Sequence, residues 1–520
     1  MPPNPLGEAV ALYRRGDFDG ALAKYHEILQ QKPNSPDAHA GIIRVYLKEK
    51  KVDEAARAAD QALAINDAPR IRVAHAEVLF RQGRIEDAER EWVNVLNSGH
   101  LEARAYLGLS QVRHAIAMYK SAQTFIKKAH ELDPNDPDIS EHWVGTLTRS
   151  ERIKYLEDKL AGENNWDADE RMGAKNYLEY LKERAKRKQS SCRLVSKVTA
   201  TETPLVRLLL DPQHLRGFGL SVELNGHKSS LLLDTGASGI TVKRAIAEKA
   251  GISKISASKI GGVGDKGWKD AHIGIADSIK IGGLEFQNCP VEVIEGRSVA
   301  DEDGLVGTDI FDDFLIDLDF PDEKLKLSEL PKRPGEPERK LALKDDEDDS
   351  DENPETRTDS GTPDAKNTPA PPGPQDRYIA PEMQSYTRMY RFGHDLLVPT
   401  QIGNVPHKLF LLDTGAFSNA ISPAAAREVT KVGLDPDMQV KGVSGTVKKV
   451  YTANKAVFQF GHLRQENQDI TAFDTSSLSD HTGTEISGFL GFTMLRLLDI
   501  KIDYRDALVD FSYDPKHWHF

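Results

Sequence analysis

The stretch "LLLDTGASGITV" (residues 231–242) places an aspartate at the end of an apolar run and follows it at once with Thr and Gly. A carboxylate in such a setting is costly unless it is paired or used for chemistry. A second copy, "FLLDTGAFSNAIS", occupies residues 410–422. The two aspartates, Asp234 and Asp413, are therefore the first residues to explain.

The surroundings of the two aspartates repeat in the same order. Each D-T-G is followed by a helix-like segment, a Gly-rich segment and strand-like alternation, and then by an apolar-apolar-Gly element that ends at Gly307 or Gly491. One D-T-G alone would be weak evidence for any function. An ordered duplication of all these elements is specific, and it indicates two related β domains.

Both regions resemble the aspartic protease superfamily. Their short length, and the Ala that follows each D-T-G, make them more similar to retropepsin-type proteases than to pepsins. The resemblance covers about residues 196–330 and 388–520. It implies two all-β domains that form a pseudo-dimer, in which each domain supplies one catalytic aspartate. Asp234 and Asp413 would then be the catalytic dyad.

The resemblance also implies roles for the residues beside the aspartates. Thr235 and Thr414 would hydrogen-bond across the pseudo-two-fold axis, and Gly236 and Gly415 would form the tight turns that aim the carboxyls. Peptide hydrolysis by this route uses a water between two carboxyls, one ionised to accept its proton and one protonated to polarise the scissile carbonyl. Two carboxyls about 3 Å apart share one proton, because both cannot ionise cheaply.

The two copies differ from pepsins and from each other. Ala237 and Ala416 lack the hydroxyl that could donate to a carboxylate, so we expect a less acidic pH optimum than that of a pepsin. Phe417 stands where the first copy has Ser238, so the two sides of the cleft should differ. Asp309 is expected to cap the short helix that follows the first apolar-apolar-Gly element.

Glycine-rich hairpins follow both aspartates at a spacing that suits a mobile flap closing over substrate. The flap candidates are Gly261, Gly262, Gly264, Gly442 and Gly445. Trp268, in the first of these hairpins, would either contact substrate or fill the core of its own hairpin.

The first part of the chain, before about residue 150, contains a repeat. Small residues recur at intervals of 33 or 34 positions, at Ala21, Ala55, Ala88 and Ala122. Small side chains at such positions let two helices approach closely, and prolines separate the units. The segment resembles the tetratricopeptide repeat family. That resemblance implies an α-solenoid whose concave groove takes a protein partner; the alternative is a spacer or a dimerisation arm.

The sequence therefore predicts a multidomain chain: an all-α tetratricopeptide-like solenoid followed by two all-β retropepsin-like domains. The predicted boundaries are 1–190 for the repeats with a capping helix, 196–330 for the first β domain and 388–520 for the second. Between the β domains, residues 331–387 form an acidic, Pro-rich segment with few large apolar residues. Such a segment cannot bury enough surface to fold, so we predict a disordered linker.

The composition excludes some functions and sets the expected compartment. A net charge of -13 argues against a nucleic-acid-binding surface, and no apolar run is long enough to span a membrane. Cys192 and Cys289 could pair, but two free thiols in a reducing cytosol are the expected state. The start of the sequence does not resemble a signal peptide, so we expect a cytoplasmic protein, or an exported one if the N-terminus has been trimmed.

The predicted function is that of an aspartic endopeptidase whose peptide or protein substrate, or a protein partner, is recruited by the helical repeats. The alternative is a catalytically inactive scaffold that binds peptides through the repeats and the protease-like cleft. We expect no metal, nucleotide or organic cofactor. The two β domains are expected to pair within one chain, although pairing between two copies of the chain is also possible.

Overall fold

The computed structural model describes residues 4–162, 166–187, 191–295, 303–335 and 376–517. Contacts divide the chain into two compact units. The first comprises Met1–His114, Met118–Lys175 and Asp480–Glu485, and the second comprises Ala115–Ala117, Asn176–Ser479 and Ile486–Phe520. Most of the predicted linker, including its acidic run at 345–352, lies outside the described residues, so its disorder stays a prediction. None of the described helices is both long and apolar enough to cross a membrane.

The N-terminal part of the described chain is entirely helical. Its helices are α1 (Pro5–Arg14), α2 (Phe18–Gln31), α3 (Pro36–Lys48), α4 (Val52–Ile65), α5 (Pro69–Arg81), α6 (Ile85–Asn97), α7 (Ala103–Ala115), α8 (Tyr119–Leu132), α9 (Pro137–Val144), α10 (Arg149–Ala161) and α11 (Ala168–Ala185). Proline occupies the first turn of α1, α3, α5 and α9, where its missing N–H costs no helical hydrogen bond. The boundary between the two compact units falls inside α11.

The predicted helical repeat is confirmed by the packing of its small residues. The four recurring alanines lie in α2, α4, α6 and α8, and each is at most 4% exposed. Glycines of the partner helices allow equally close contacts. An added Cβ would lie 2.3 Å from the ring of Tyr25 at Gly41, and 2.4 Å from the ring of Trp92 at Gly108. The small residues thus let aromatic side chains fill the space between neighbouring helices.

Polar contacts tie the first helix to later ones. Arg104 at the start of α7 donates to the Tyr13 hydroxyl in α1 at 3.2 Å and to the Asp136 carboxylate at 2.7 Å. Arg14 donates to Asp133, at the end of α8, at 2.6 Å. These side chains connect helices that are far apart in sequence.

The first β half runs from Arg193 to Glu329 and contains twelve strands and one α-helix among its described residues. These are β1 (Arg193–Leu194), β2 (Thr201–Pro204), β3 (Val206–Asp211), β4 (His214–Leu224), β5 (His227–Asp234), β6 (Ile240–Lys243), α12 (Arg244–Lys249), β7 (Lys254–Ile260), β8 (Lys269–Ile281), β9 (Leu284–Ile294), β10 (Gly304–Gly307), β11 (Phe314–Asp319) and β12 (Lys324–Glu329). Most of these strands form one nine-stranded sheet in the order β1-β9-β6-β10-β5-β4-β8-β7, with β3 attached to β4.

The second β half runs from Thr387 to Ser512 and repeats this plan. Its elements are β13 (Thr387–Arg388), β14 (Tyr390–Phe392), β15 (Asp395–Ile402), β16 (Val405–Asp413), β17 (Ala420–Ile421), α13 (Pro423–Arg427), β18 (Val432–Leu434), β19 (Lys441–Gly442), β20 (Gly445–Thr446), β21 (Val450–Phe460), β22 (Leu463–Phe473), α14 (Ser476–Thr482), β23 (Gly488–Gly491), α15 (Phe492–Leu495), β24 (Asp499–Asp503) and β25 (Leu508–Ser512). Its main sheet has eight strands in the order β14-β15-β16-β23-β17-β22-β21-β18.

A six-stranded sheet joins the two halves, in the order β13-β25-β24-β11-β12-β2. Strand β11 of the first half pairs with β24 of the second, with Ile316 opposite Ile502 and Leu318 opposite Ile500. All four side chains are completely buried. The halves therefore share backbone hydrogen bonds and a common apolar core, as expected for a pseudo-dimer.

The expectation of two free thiols is wrong for this structure, because Cys192 and Cys289 form a disulfide bond. Strand β1 pairs with β9 so that Arg193 lies opposite Gln287. This antiparallel register brings the Cα atoms of the two cysteines to 4.3 Å. The residues are 97 positions apart in sequence, and no local pattern indicates that their strands pair.

Residues 376–387 belong to the range predicted as linker, and their described side chains pack against the end of the second half. Ala380 and Met383 are each 2% exposed and contact Leu508 of β25. The backbone N–H of Tyr378 donates to the Asp506 carboxylate at 2.9 Å. This short segment is thus anchored before the strands of the second half begin.

Candidate active site

Asp234 and Asp413 occupy equivalent positions in the two halves. Each ends a central strand, β5 or β16, whose preceding leucines are buried. Each lies beside the glycine of the neighbouring parallel strand, since Gly307 pairs with Asp234 and Gly491 pairs with Asp413. The two D-T-G segments and the two apolar-apolar-Gly elements noted in the sequence therefore come together in the same way twice.

The two threonines of the D-T-G segments bind each other's turns. The Thr235 hydroxyl donates to the Leu412 carbonyl at 2.6 Å and accepts the Thr414 N–H at 3.0 Å. The Thr414 hydroxyl donates to the Leu233 carbonyl at 2.8 Å and accepts the Thr235 N–H at 3.0 Å. Both threonines are almost completely buried, at 0% and 2% exposure. Four reciprocal hydrogen bonds therefore hold the two turns in register.

The glycines of both turns leave room for the opposite carboxyl. A Cβ added at Gly415 would lie 2.3 Å from Asp234 Oδ2, and one added at Gly236 would lie 3.0 Å from Asp413 Cγ. The Gly236 N–H also donates to Asp234 Oδ1 at 2.9 Å, and the Ala416 N–H donates to Asp413 Oδ1 at 2.8 Å. Each carboxyl is thus oriented by its own turn and packed against the turn of the other half.

The two carboxyls influence each other's pKa, and the remaining groups around them differ. Desolvation, followed by the charge of Asp234 and the hydrogen bond to it, holds the pKa of Asp413 well above its usual range. Desolvation also raises the pKa of Asp234, but the Gly236 N–H, the Asp413 carboxyl and nearby positive charges act against that rise. Burial thus disfavours two ionised carboxyls at this place, and the groups just named favour the charge on Asp234.

Arg216 and His394 are basic residues whose positive charge favours an ionised Asp234, and neither stood out in the sequence. Arg216, in β4, donates from Nη2 to the Gly415 carbonyl at 3.1 Å. His394 lies in the turn between β14 and β15, with Nε2 at 3.4 Å from Asp395 Oδ1. No local sequence pattern could have found these residues, because both lie well before the aspartates and approach the dyad only through the sheet pairing.

Asp309 does not cap the short 3-10 helix Thr308–Phe311, so that expectation is wrong. Its carboxylate instead accepts from the Ser238 hydroxyl at 2.8 Å and from the Gly239 N–H at 2.9 Å. It therefore holds the loop that follows the first D-T-G in place.

In the second half the Thr493 N–H donates to the Phe417 carbonyl at 2.9 Å, and the Phe417 side chain stays 48% exposed. The two loops therefore differ as predicted: Ser238 is bonded to Asp309, whereas the Phe417 side chain is exposed.

The two glycine-rich hairpins meet each other. The Gly262 N–H donates to the Ser444 hydroxyl at 3.1 Å, the Ser444 N–H donates to the Val263 carbonyl at 3.0 Å, and the Lys266 N–H donates to the Ser444 carbonyl at 2.9 Å. Ser444 is 2% exposed as a result. Hydrogen bonds thus join the hairpin between β7 and β8 to the hairpin between β19 and β20.

Glycine is required where these hairpins touch. An added Cβ would lie 2.4 Å from the Ser444 backbone at Gly264 and 2.3 Å from the Val263 carbonyl oxygen at Gly442. Gly264 and Gly445 have positive φ angles of 132° and 98°. At the remaining flap candidates, an added Cβ would be 2.8 Å from the Trp268 ring at Gly261 and 3.2 Å from Val443 at Gly262. Trp268 packs on its own hairpin and is 60% exposed.

Comparison with known proteins supports both resemblances drawn from the sequence. Residues 220–310 and 398–494 match the family model described as aspartyl protease, and residues 12–74 match the tetratricopeptide repeat model. These matches confirm the recognition of two protease-like segments and of N-terminal repeats. No curated protein matches the chain.

Among the solved structures that are similar to this chain, two match about a third of it. One comes from a functional characterisation of Pseudomonas aeruginosa pilF; it is 19% identical, and the match covers 34% of this chain and 83% of that one, with a TM-score of 0.24. The other is a thermophilic TPR protein of Thermus thermophilus; it is 19% identical, and the match covers 34% of this chain and 97% of that one, with a TM-score of 0.27.

Proposed function

We propose that this chain is an aspartic endopeptidase that hydrolyses peptide bonds at one site formed by Asp234 and Asp413. The placement of these two carboxyls carries the proposal: they come from different halves, and each is held by its own D-T-G turn against the turn of the other half. Two acidic groups in contact are unfavourable unless they share a proton, and a shared proton is what this reaction uses. A cleft that only binds peptides has no need of such a pair.

The geometry supports a distinct role for each carboxyl. Asp234, ionised, takes a proton from a water held between the carboxyls while the water oxygen attacks the scissile carbonyl carbon. Asp413 donates its proton to the carbonyl oxygen, which gives a tetrahedral diol. When the C–N bond breaks, the leaving amine takes the proton held by Asp234, and a hydroxyl of the diol returns a proton to Asp413. The dyad ends the cycle with one proton, as it began.

The interlocked hairpins would act as flaps over this site. Substrate must pass beneath them, so the contacts of Ser444 with the opposite hairpin have to break and re-form in each cycle. Closure would then exclude bulk water from the dyad, which strengthens its electrostatic interactions. The glycines Gly261, Gly262, Gly264, Gly442 and Gly445 are proposed as the residues that permit this movement.

The helical repeats would recruit a protein, either the substrate or a partner that delivers it. Tetratricopeptide-type helix pairs present extended surfaces of the kind that bind peptides and helices.

We also propose that the protein works in an oxidising compartment rather than in the reducing cytosol expected from its sequence. The disulfide between Cys192 and Cys289 supports this, since such bonds persist where thiols are not kept reduced.

Cleavage of a diverse peptide library at acidic to neutral pH tests the proposed activity. Wild type is compared with Asp234→Asn and Asp413→Asn, and with Asp277→Asn as a matched control, because the Asp277 side chain is 86% exposed. We expect a loss of at least about a thousandfold in kcat/KM in both dyad variants, because each removes one half of the acid–base pair. The control should cleave as wild type does.

Two results would contradict the proposal. If wild type cleaves no peptide at any pH, the cleft is a binding site without activity. If only one dyad variant loses activity, the site belongs to two copies of one half rather than to one chain. Analytical ultracentrifugation of the active protein distinguishes a site within one chain from a site shared by two chains, since the proposed site needs only a monomer.

A further inference from the structure

The two halves differ in the residue that flanks the dyad at one equivalent position. Gly219 pairs with Leu232 in the first half, and Leu397 pairs with Leu411 in the second, in each case two residues before the aspartate. Three residues before these strand positions stand Arg216 and His394. A duplicated site thus has a permanently charged guanidinium on one side and an imidazole on the other.

Arg216 reaches across the pseudo-two-fold axis to the second D-T-G turn. Its Nη2 donates to the Gly415 carbonyl at 3.1 Å, and Gly415 is the residue at which an added Cβ would lie 2.3 Å from Asp234 Oδ2. Its Nη1 is buried and has no hydrogen-bond partner among the described residues. The guanidinium is therefore fixed close to Asp234, and solvent does not reach its free nitrogen.

We propose that Arg216 is a positioning residue that decides which aspartate is the base. By holding the Gly415 carbonyl and placing a permanent positive charge beside Asp234, it keeps Asp234 ionised and leaves the shared proton on Asp413. A symmetric dyad would have no such preference, because each carboxyl would meet the same groups. The presence of Arg in one half and His in the other removes that symmetry.

The charged groups around Asp234 support this direction. Asp413 faces it from β16, Arg216 from β4 and His394 from the turn before β15, and all three lower its pKa against the effect of desolvation. Arg216 keeps its charge throughout the pH range of the reaction, whereas the charge of a histidine depends on pH. Arg216 is therefore the constant influence, and it should set the acidic limit of activity.

This inference rests on the proposed peptidase activity, and the pH dependence of kcat/KM tests it. Arg216→Met removes the charge and the hydrogen bond while keeping similar bulk, and Arg216→Lys keeps the charge. Arg207→Met, on the same hairpin, is the control, because Arg207 is 65% exposed and pairs with Glu323. The same set is repeated with His394→Gln, so that a titrating imidazole cannot produce the result.

We expect the acidic limb of the profile to move to higher pH by roughly one unit in Arg216→Met. The limb should stay within about 0.3 units of wild type in Arg216→Lys and in the Arg207→Met control. Equal shifts in the Met and Lys variants would mean that Arg216 acts through shape alone. No shift in either would mean that it does not influence the dyad, and both results overturn the inference.

A second measurement keeps the inference testable if the wild-type chain cleaves nothing. The loss of the Arg216 charge raises the pKa of Asp234 in the folded protein. The thermal stability of Arg216→Met should then decline relative to wild type as the pH rises through the acidic range. A difference between the two proteins that does not change with pH contradicts the inference without reference to activity.

Discussion

Thr235→Val should loosen the contact between the two D-T-G turns. Valine has nearly the shape of threonine, so the change leaves no cavity, but it removes both hydrogen bonds of a hydroxyl that is 0% exposed. The Leu412 carbonyl, bound at 2.6 Å, and the Thr414 N–H, bound at 3.0 Å, would lose these partners. Each buried group left without a partner costs about 1–3 kcal/mol, so the free energy of opening should fall by about 2–6 kcal/mol.

Hydrogen–deuterium exchange measures this opening locally, which avoids treating a multidomain chain as two-state. At about 1.4 kcal/mol for each tenfold change, amides in residues 231–236 and 410–415 should exchange at least about 30-fold faster in Thr235→Val. Thr235→Ser keeps the hydroxyl and should restore most of the protection. One segment comes from each half, so the experiment also shows whether exchange becomes faster in one turn only.

Thr400→Val is the matched control for this experiment. Thr400 is also 0% exposed, but its hydroxyl donates to the Val398 carbonyl at 3.1 Å within its own strand. Losing that bond should cost about 1 kcal/mol and should leave the exchange of the D-T-G turns unchanged. If the amides of the two turns exchange as slowly in Thr235→Val as in Thr400→Val, the reciprocal bonds do not hold the halves together.

Three further changes test other parts of the structure. Gly415→Ala should reduce kcat/KM more than Gly236→Ala. The added Cβ would lie 2.3 Å from an opposing carboxyl oxygen at Gly415 and 3.0 Å from a carboxyl carbon at Gly236. Equal losses of kcat/KM in the two variants would contradict this. Reducing the Cys192–Cys289 bond should lower the unfolding free energy of the β unit by up to about 4–5 kcal/mol, since the cysteines are 97 residues apart. If the denaturation midpoint is the same with and without a reductant, the bond does not stabilise the protein. Desolvation, together with a neighbouring carboxyl, raises the pKa of Asp317 to about 7, so the folded protein keeps a proton there that the unfolded chain releases at about pH 4. Wild type should therefore lose stability as the pH rises from about 4 to 7, and Asp317→Asn should not; denaturation curves of the two proteins that differ equally at all pH values would refute this.

The parts of the site that repeat in sequence could be predicted from it. The aspartates, threonines and glycines of the D-T-G segments form local turns, and a local turn leaves its signature in consecutive residues. Because the same signature occurs twice, the resemblance to proteases with two catalytic carboxyls implied the pairing of Asp234 with Asp413. The small residues of the repeats were likewise visible through their regular spacing.

The groups that act on the site from distant strands could not be predicted in this way. Arg216 contacts Gly415 of the other half, and this contact depends on how two sheets meet rather than on neighbouring residues. The pairing of Cys192 with Cys289 depends on the register of β1 and β9. Asp309 was misread because an acidic residue at a helix start usually caps the helix. Here two donors from the D-T-G loop bind its carboxylate instead.

The joining of both halves in one chain has a consequence for how the proposed enzyme behaves on dilution. A site assembled from separate subunits disappears below their dissociation constant. Strands β11 and β24 belong to the same polypeptide, so the effective concentration of one half around the other is fixed by covalent linkage. Specific activity should therefore be the same at any protein concentration. A substitution in one half is also never copied into the other, so each side of the cleft is free to evolve separately, as Ser238 and Phe417 illustrate.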